Sequence, residues 1–280
     1  MGIIFYCGLY FFKPSSLEIY KICKTETNYI TETEPMEIVD TRNDVKGNVT
    51  KELGKKPQQN AKNRAMKASF VITYILLLTT ATITFIEAIR TQVPYVRHIL
   101  NLETAISVIA GYFYGIFIAQ IDKASEDGKE FDWSEITKTR YIDWAITTPL
   151  MLLALCLVLS NEIKVTITLP AILTIVGLNY IMLYLGYLGE TGVLQRLYSD
   201  AFGFGVFFSM FYLIYSWYVA PRFNRNGFAL FCVYLFIWSL YGVVYMLDEI
   251  WKNMITNILD LSAKCLVGLG LWMYYTKIIR

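Results

Sequence analysis

An aspartate and a lysine stand four residues apart in an otherwise apolar run, ILDLSAKCLVGLG, at Asp260 and Lys264. On a helix that spacing puts both side chains on one face, about one turn apart. A lysine removed from water needs a carboxylate beside it, must lose its charge, or must be used covalently through imine formation with an aldehyde. These two residues alone leave a plain buried ion pair and covalent chemistry equally open. A second run, RYIDWAITTPLMLLAL, carries Arg140, Asp143 and Thr147 at i, i+3 and i+7, again one stripe of one helix. Two carboxylates, an arginine and a lysine balance in charge. Such a cluster would hold an organic cation and let a proton pass from it to a carboxylate. A third run, FIWSLYGVVYML, has Trp238, Tyr241 and Tyr245 at spacings of three and four. By itself this aromatic stripe reads as core. Together with Trp144 and an apolar-embedded lysine it reads as a box for a flat apolar chromophore.

The segments that must carry these residues are membrane spans. Of the 280 residues, 55% are hydrophobic and 16% aromatic, and only 17% are charged, against about 25% charged in an ordinary soluble domain. Disorder throughout, collagen, a coiled coil and a small disulfide scaffold are excluded. From Ser69 onward seven apolar segments follow, approximately 69–89, 99–121, 136–160, 166–188, 194–220, 227–247 and 250–275. At about 1.5 Å per residue each is long enough to cross a hydrocarbon core of roughly 30 Å. They are too long and too uniformly apolar for the strands of a membrane barrel. The fold class is therefore an all-α membrane protein, a seven-transmembrane-helix bundle over residues 69–280. Residues 1–68 are unlike the rest: Lys13 to Lys67 is polar and Thr/Glu/Lys/Asn-rich, which predicts a disordered N-terminal extension.

Loop charge predicts the direction of the bundle. Arg90, Arg97 and His98 follow the first span, Arg222 and Arg225 the fifth, and Lys277 and Arg280 end the chain, while the loops after spans two and six are mainly acidic. The positive-inside rule then places the N-terminus outside and the C-terminus in the cytoplasm. The cluster Lys62, Arg64 and Lys67 points the other way, and the short loops outweigh it. Cys7, Cys23, Cys156, Cys232 and Cys265 read as apolar filler, with neither a disulfide framework nor a metal site. A net charge of +2 with no basic stripe argues against nucleic acid as a partner. The single histidine, His98, and the lack of a Walker loop, an HExxH motif or a nucleophile elbow argue against an enzyme.

RYIDWxxTTPL in the third segment, LDxSAK in the seventh and WSxY in the sixth together resemble the microbial (type 1) rhodopsins, whose bundle is of the bacteriorhodopsin type. The resemblance covers Ser69 to the C-terminus. It implies all-trans retinal bound to Lys264 as a protonated Schiff base, with Asp143 and Asp260 as counterions and Asp143 as proton acceptor. Arg140 would link that complex to the outer side, Thr147 would hydrogen-bond near Asp143, and Tyr114 would bond the helix-seven counterion. Trp144, Thr148, Met182, Gly186, Met210, Trp238, Tyr241 and Tyr245 would line the retinal pocket, and Asn179 falls where bacteriorhodopsin has an aspartate near the ring.

Departures from the family pattern bear on function. Ala154 stands where bacterial pumps have a carboxylate donor, Lys252 where an archaeal pump has a release glutamate, Gly242 where helix six usually has proline, and Gly203 where helix five has a pocket tryptophan. Glu87 and Glu103, with Arg97 between them and Trp272 late in the last helix, are similar to the second group of viral rhodopsins, from large DNA viruses of algae and protists. That likeness implies a homo-oligomer in the lipid membrane, a pentamer whose first helices line a pore with carboxylates near its inner mouth. Snorkelling of Glu87 and Glu103 into the interface is the bland alternative. The leading expectation is a light-driven outward proton pump with a path through Arg140, Thr147, Tyr114, Glu87 and Glu103. A light-gated cation channel and a sensory photoreceptor are the alternatives.

Overall fold

The structure is a computed structural model that describes residues 42–126 and 131–276. Its elements are α1 (Arg42–Arg90), α2 (Pro94–Glu126), α3 (Trp133–Ile163), α4 (Leu169–Glu190), α5 (Arg196–Tyr218), α6 (Arg225–Tyr245) and α7 (Glu249–Asp260). A π-helical turn (Leu261–Leu266) and α8 (Val267–Tyr275) continue α7. Among the described residues, seven segments are long and apolar enough to cross a membrane; the first is Asn63–Arg90 and the last is the composite Glu249–Tyr275. All packing described below lies in the compact unit that begins at Leu53.

α1 begins well before the apolar run. Residues 42–68 are helical, where the composition had predicted a disordered extension; their lysines, glutamines and alanines are good helix formers. Residues 1–41, with Cys7 and Cys23, lie outside the described residues. Met66 is fully buried in one core cluster with Phe70 and with Tyr114 and Phe117 of α2, so the packed bundle starts before Ser69.

Local chemistry fixes several helix ends. Asp132 caps α3 by accepting from the Glu135 N–H at 3.1 Å, and Asn224 caps α6 by accepting from Asn226 and Gly227. Pro170 occupies the first turn of α4, where its missing N–H costs nothing. Lys164 ends α3 in the left-handed region at φ 60°.

Around an apolar core, polar residues within the spans turn inward, and many apolar side chains face outward. Thr73, Thr84, Glu103, Ser107, Asp143 and Thr147 are buried, while Ile72, Ile86, Tyr112, Leu173, Phe236 and Leu266 are exposed. In lipid there is no penalty for the exposed apolar face, and interior polar groups supply the bonds between helices. Asn179 of α4, fully buried, donates to Thr148 of α3 at 2.8 Å, and Thr148 in turn donates to the Trp144 carbonyl at 2.6 Å. α4 and α5 approach closely at Gly189, where an added Cβ would strike the Tyr245 hydroxyl and the Ser199 side chain. We expect Gly189→Val to destabilise the protein by about 1–3 kcal/mol through overpacking, seen as a lower thermal midpoint. An unchanged midpoint would show that this contact yields freely.

Candidate functional site

The four charged residues singled out by spacing meet in the middle of the bundle. Lys264 Nζ donates to Asp143 Oδ2 at 3.0 Å and lies 3.6 Å from Asp260 Oδ1. Arg140 Nη1 lies 3.3 Å from Asp260 Oδ2. All four side chains are essentially inaccessible, Lys264 and Asp260 at 1%, Asp143 at 0% and Arg140 at 5% exposure. An isolated charge at that depth costs several kcal/mol or more, so only the two-and-two balance makes the cluster tolerable.

The local backbone explains how a helix presents a lysine here. Leu261–Leu266, the turn that contains Lys264, is π-helical, and the α-helix resumes at Val267. Single π turns inside α-helices cluster at functional sites because the wider turn re-aims a side chain. In α3, Arg140, Asp143 and Thr147 form one buried stripe, as their spacing predicts.

The two carboxylates are held differently. Asp260 accepts from Tyr241 at 2.7 Å, from Tyr114 at 2.8 Å, from the Trp144 indole at 3.4 Å and from Arg140. The Tyr114 hydroxyl has Asn257 Oδ1 at 3.0 Å as a second acceptor. Asp143 receives only the Lys264 ammonium, and its Oδ1 is buried with no protein partner. Thr147 does not reach that carboxylate; its hydroxyl donates to the Asp143 backbone carbonyl at 2.9 Å. Arg140 is anchored away from Lys264 by Asn253 and Asn257, at 3.1 and 3.0 Å. Its guanidinium also sits 4.9 Å from the Phe117 ring centre and 5.5 Å from that of Phe70.

A cavity runs from Lys264 and Asp260 between α3, α4, α5 and α6. Trp144, Thr148, Met182, Gly186, Trp238, Tyr241 and Tyr245 line it. Met210 is not among the lining residues; it is fully buried in the core cluster that also holds Phe207, Phe211 and Trp238. The wall also uses Tyr141, Met151, Phe204 and Phe207, which spacing did not single out. Gly186 and Gly242 leave room for neighbours, since a Cβ at Gly186 would lie 2.7 Å from the Tyr141 hydroxyl and one at Gly242 would meet the Phe204 ring. At Gly203, also on the wall, a Cβ would meet nothing within 4 Å.

Glu87 and Glu103 lie apart from this cluster. Glu103 does not snorkel: it is 2% exposed, its Oε1 has no protein partner, and its Oε2 lies 2.9 Å from where a Cβ on Gly268 would stand. Gly268 follows Lys264 by about one turn, so the glutamate sits against the lysine's own helix. Glu87 is partly exposed, 3.9 Å from Arg90. Among the described residues no cluster of histidine, cysteine and acidic groups is arranged to hold a metal, and Cys156, Cys232 and Cys265 are free.

Seven membrane helices enclosing a buried lysine, two carboxylates and an aromatic-walled cavity define a membrane protein built around an organic chromophore. The family model of bacteriorhodopsin-like proteins matches residues 64–278, and the chain belongs to that family. It is a microbial rhodopsin with viral-rhodopsin similarity. The crystal structure of viral rhodopsin OLPVRII shares 40% identity over 77% of this chain and 99% of that one, with a TM-score of 0.70. A green-light absorbing proteorhodopsin from Gamma-proteobacterium EBAC31A08 is 25% identical, covering 75% of this chain and 86% of its own. The proton pumping rhodopsin AR2 from the marine alga Acetabularia acetabulum has the same fold at 20% identity, 76% and 96% coverage and a TM-score of 0.61.

Membership implies retinal as the chromophore, and members are ion transporters or photoreceptors. The residues fit that group. A fully buried amine opens onto the cavity, large rings flank it, and Asp143 keeps one oxygen free of protein donors beside the amine.

Proposed function

We propose that the chain is a light-driven outward proton pump that binds all-trans retinal at Lys264. The observation that carries this reading is the asymmetry of the carboxylates. Asp260 has both oxygens engaged by donors and serves as a fixed negative charge, while Asp143 faces Lys264 Nζ at 3.0 Å with an oxygen to spare. Retinal, when bound, supplies a light-driven isomerisation that changes how the proton at Lys264 Nζ is held. Trp144, Thr148, Met182, Gly186, Trp238, Tyr241 and Tyr245 would hold it and keep bulk water from the lysine.

The proton at Nζ passes to Asp143. Arg140, tethered to Asn253 and Asn257, shifts its charge relative to the two carboxylates as Asp143 is neutralised, which favours exit toward the Arg140 end. The loop charges orient that end outward. With Ala154 unable to return a proton, Glu103 is the buried carboxyl placed to do so, on the opposite side of Lys264 from Arg140. Glu103→Gln is expected to slow proton return by about 10²-fold or more, the usual weight of a positioned acid, read as slow recovery of the resting absorbance after a flash. Recovery at the wild-type rate would remove Glu103 from the path. Membrane lipid surrounds the exposed apolar faces in this reading, and the homo-oligomer, a pentamer, rests on the viral-type likeness of Glu87, Arg97 and Glu103.

A pH electrode in a suspension of cells expressing the retinal-loaded protein tests the pump. Illumination should acidify the medium, and a protonophore should abolish the signal. No light-dependent pH change with the chromophore bound would overturn the reading and turn attention to the channel and sensor alternatives.

A further inference from the structure

Among the described residues, six charged side chains stand on the wall of the cavity: Arg140, Glu190, Asp200, Lys252, Asp260 and Lys264. Five of them have an oppositely charged partner. Arg140 and Lys264 lie 3.3 and 3.6 Å from Asp260. Lys252 lies 2.8 Å from both Glu190 and Glu249, and Arg196, at the start of α5, contacts the same two acids at 3.0 and 3.2 Å. Asp200 is the exception. Its carboxylate makes no ion pair and no side-chain hydrogen bond with a described residue, and Arg196, one turn earlier on the same helix, is turned to Glu190 and Glu249.

The order of the helices sets where this charge stands. α5 packs on α4, α6 and α3, whereas the π-helical turn that carries Lys264 packs on α2 and α6. α6 therefore lies between them, and an α5 side chain on the cavity wall faces the end remote from the lysine. Asp200 Oδ1 lies 3.2 Å from where a Cβ on Gly242 of α6 would stand, and the Phe204 ring meets the same point, so the absent side chain at 242 admits carboxylate and ring side by side. Asp200 is only partly buried, which lets it stay ionised. The other titratable groups on this stretch of wall are Tyr141 of α3, Glu190 of α4 and Tyr245 of α6. The tyrosines are neutral near pH 7, and Glu190 is matched by Lys252 and Arg196.

A matched ion pair acts at a distance as a dipole, so its effect on a third charge fades faster than that of a lone charge. Asp200 is the lone charge on this wall. When a retinal chromophore joined to Lys264 absorbs light, positive charge moves from the nitrogen toward the ring. A carboxylate beside the nitrogen, such as Asp143, opposes that movement, and a carboxylate at the far end favours it. We propose that Asp200 sets the colour of the protein: its unpaired negative charge, at the end of the cavity remote from Lys264, draws the absorption band to longer wavelength. The proposal rests on retinal being held at Lys264 and on no part of the proton path.

Absorption spectra of the retinal-loaded protein near neutral pH test this. Asp200→Asn and Asp200→Leu should both move the visible band to shorter wavelength, the reverse of the shift expected for Asp143→Asn. Asp200→Glu keeps the charge and should stay close to the wild type. Asparagine has the shape of aspartate and no bond is lost, so Asp200→Asn and Asp200→Glu carry the test should the leucine variant fail to take up retinal. A retinal analogue whose ring double bond is reduced, so that conjugation stops short of the ring, locates the charge: with it the difference between wild type and Asp200→Asn should shrink. An unmoved band in Asp200→Asn, or a move to longer wavelength, overturns the proposal. A difference of undiminished size with the analogue overturns the placement of the charge at the far end. Failure of the chromophore assignment shows separately, as a visible band that survives Lys264→Ala.

Discussion

Lys264→Ala, reconstituted with all-trans retinal, is expected to show no visible absorption band, only the near-ultraviolet absorption of the unattached aldehyde. Lys264 is the amine at the Asp143 end of the aromatic-walled cavity and is 1% exposed, while Lys252, also on the wall, is held in ion pairs with Glu190 and Glu249. Its removal also leaves Asp143 and Asp260 buried with Arg140 as the remaining cation in contact, through Asp260. Breaking a buried pair in this way costs about 3–5 kcal/mol, which should appear as a lower thermal midpoint of the retinal-free protein. Adding Asp143→Asn should recover much of that loss without recovering colour. A coloured Lys264→Ala protein would contradict the assignment of the site.

Asp143→Asn is expected to keep a visible band and lose proton transport by about 10²–10⁴-fold, the range typical of removing a positioned proton acceptor. The band should move to longer wavelength, because a carboxylate 3.0 Å from Nζ stabilises the state in which positive charge sits on that nitrogen. Asp260→Asn should behave differently. Asp260 accepts from Tyr241, Tyr114 and Trp144 and balances Arg140, so its loss frees several donors at once and should lower the yield of folded, coloured protein. Flash spectroscopy and vesicle transport assays on the two variants separate the roles. Equal transport by Asp143→Asn and wild type would remove Asp143 as acceptor.

The core of the site was legible because ionisable residues are expensive in an apolar span. Arg140, Asp143, Asp260 and Lys264 stood out against their neighbours, and helical spacing alone put them on common faces. Rings at Trp238, Tyr241 and Tyr245 were legible for the same periodic reason. Glu190, Arg196, Glu249 and Lys252 were not. They come from three segments at helix ends, where charge is ordinary and nothing in the sequence shows that four such ends converge. Position along a helix also says little about which wall a residue reaches within a tightly packed bundle, so Met210 falls in the core and Phe204 and Phe207 on the cavity. The π-helical turn at Lys264 has no sequence signal among its ordinary helix-forming residues. Nor does a lone glutamate reveal whether it reaches the interface or turns inward, and Glu103 turns inward against Gly268.

The average composition with its 17% charge conceals this arrangement. Function in this chain depends on a handful of charges whose partners are set by geometry.

Photocurrent under voltage clamp, with the same pH on both sides, tests the central claim most directly. A pump that passes a proton from Lys264 to Asp143 and onward past Arg140 gives an outward current at every membrane potential, reduced but not reversed at negative voltage. A current that changes sign as the voltage crosses the equilibrium potential of an ion would contradict that account and establish a passive conduction path.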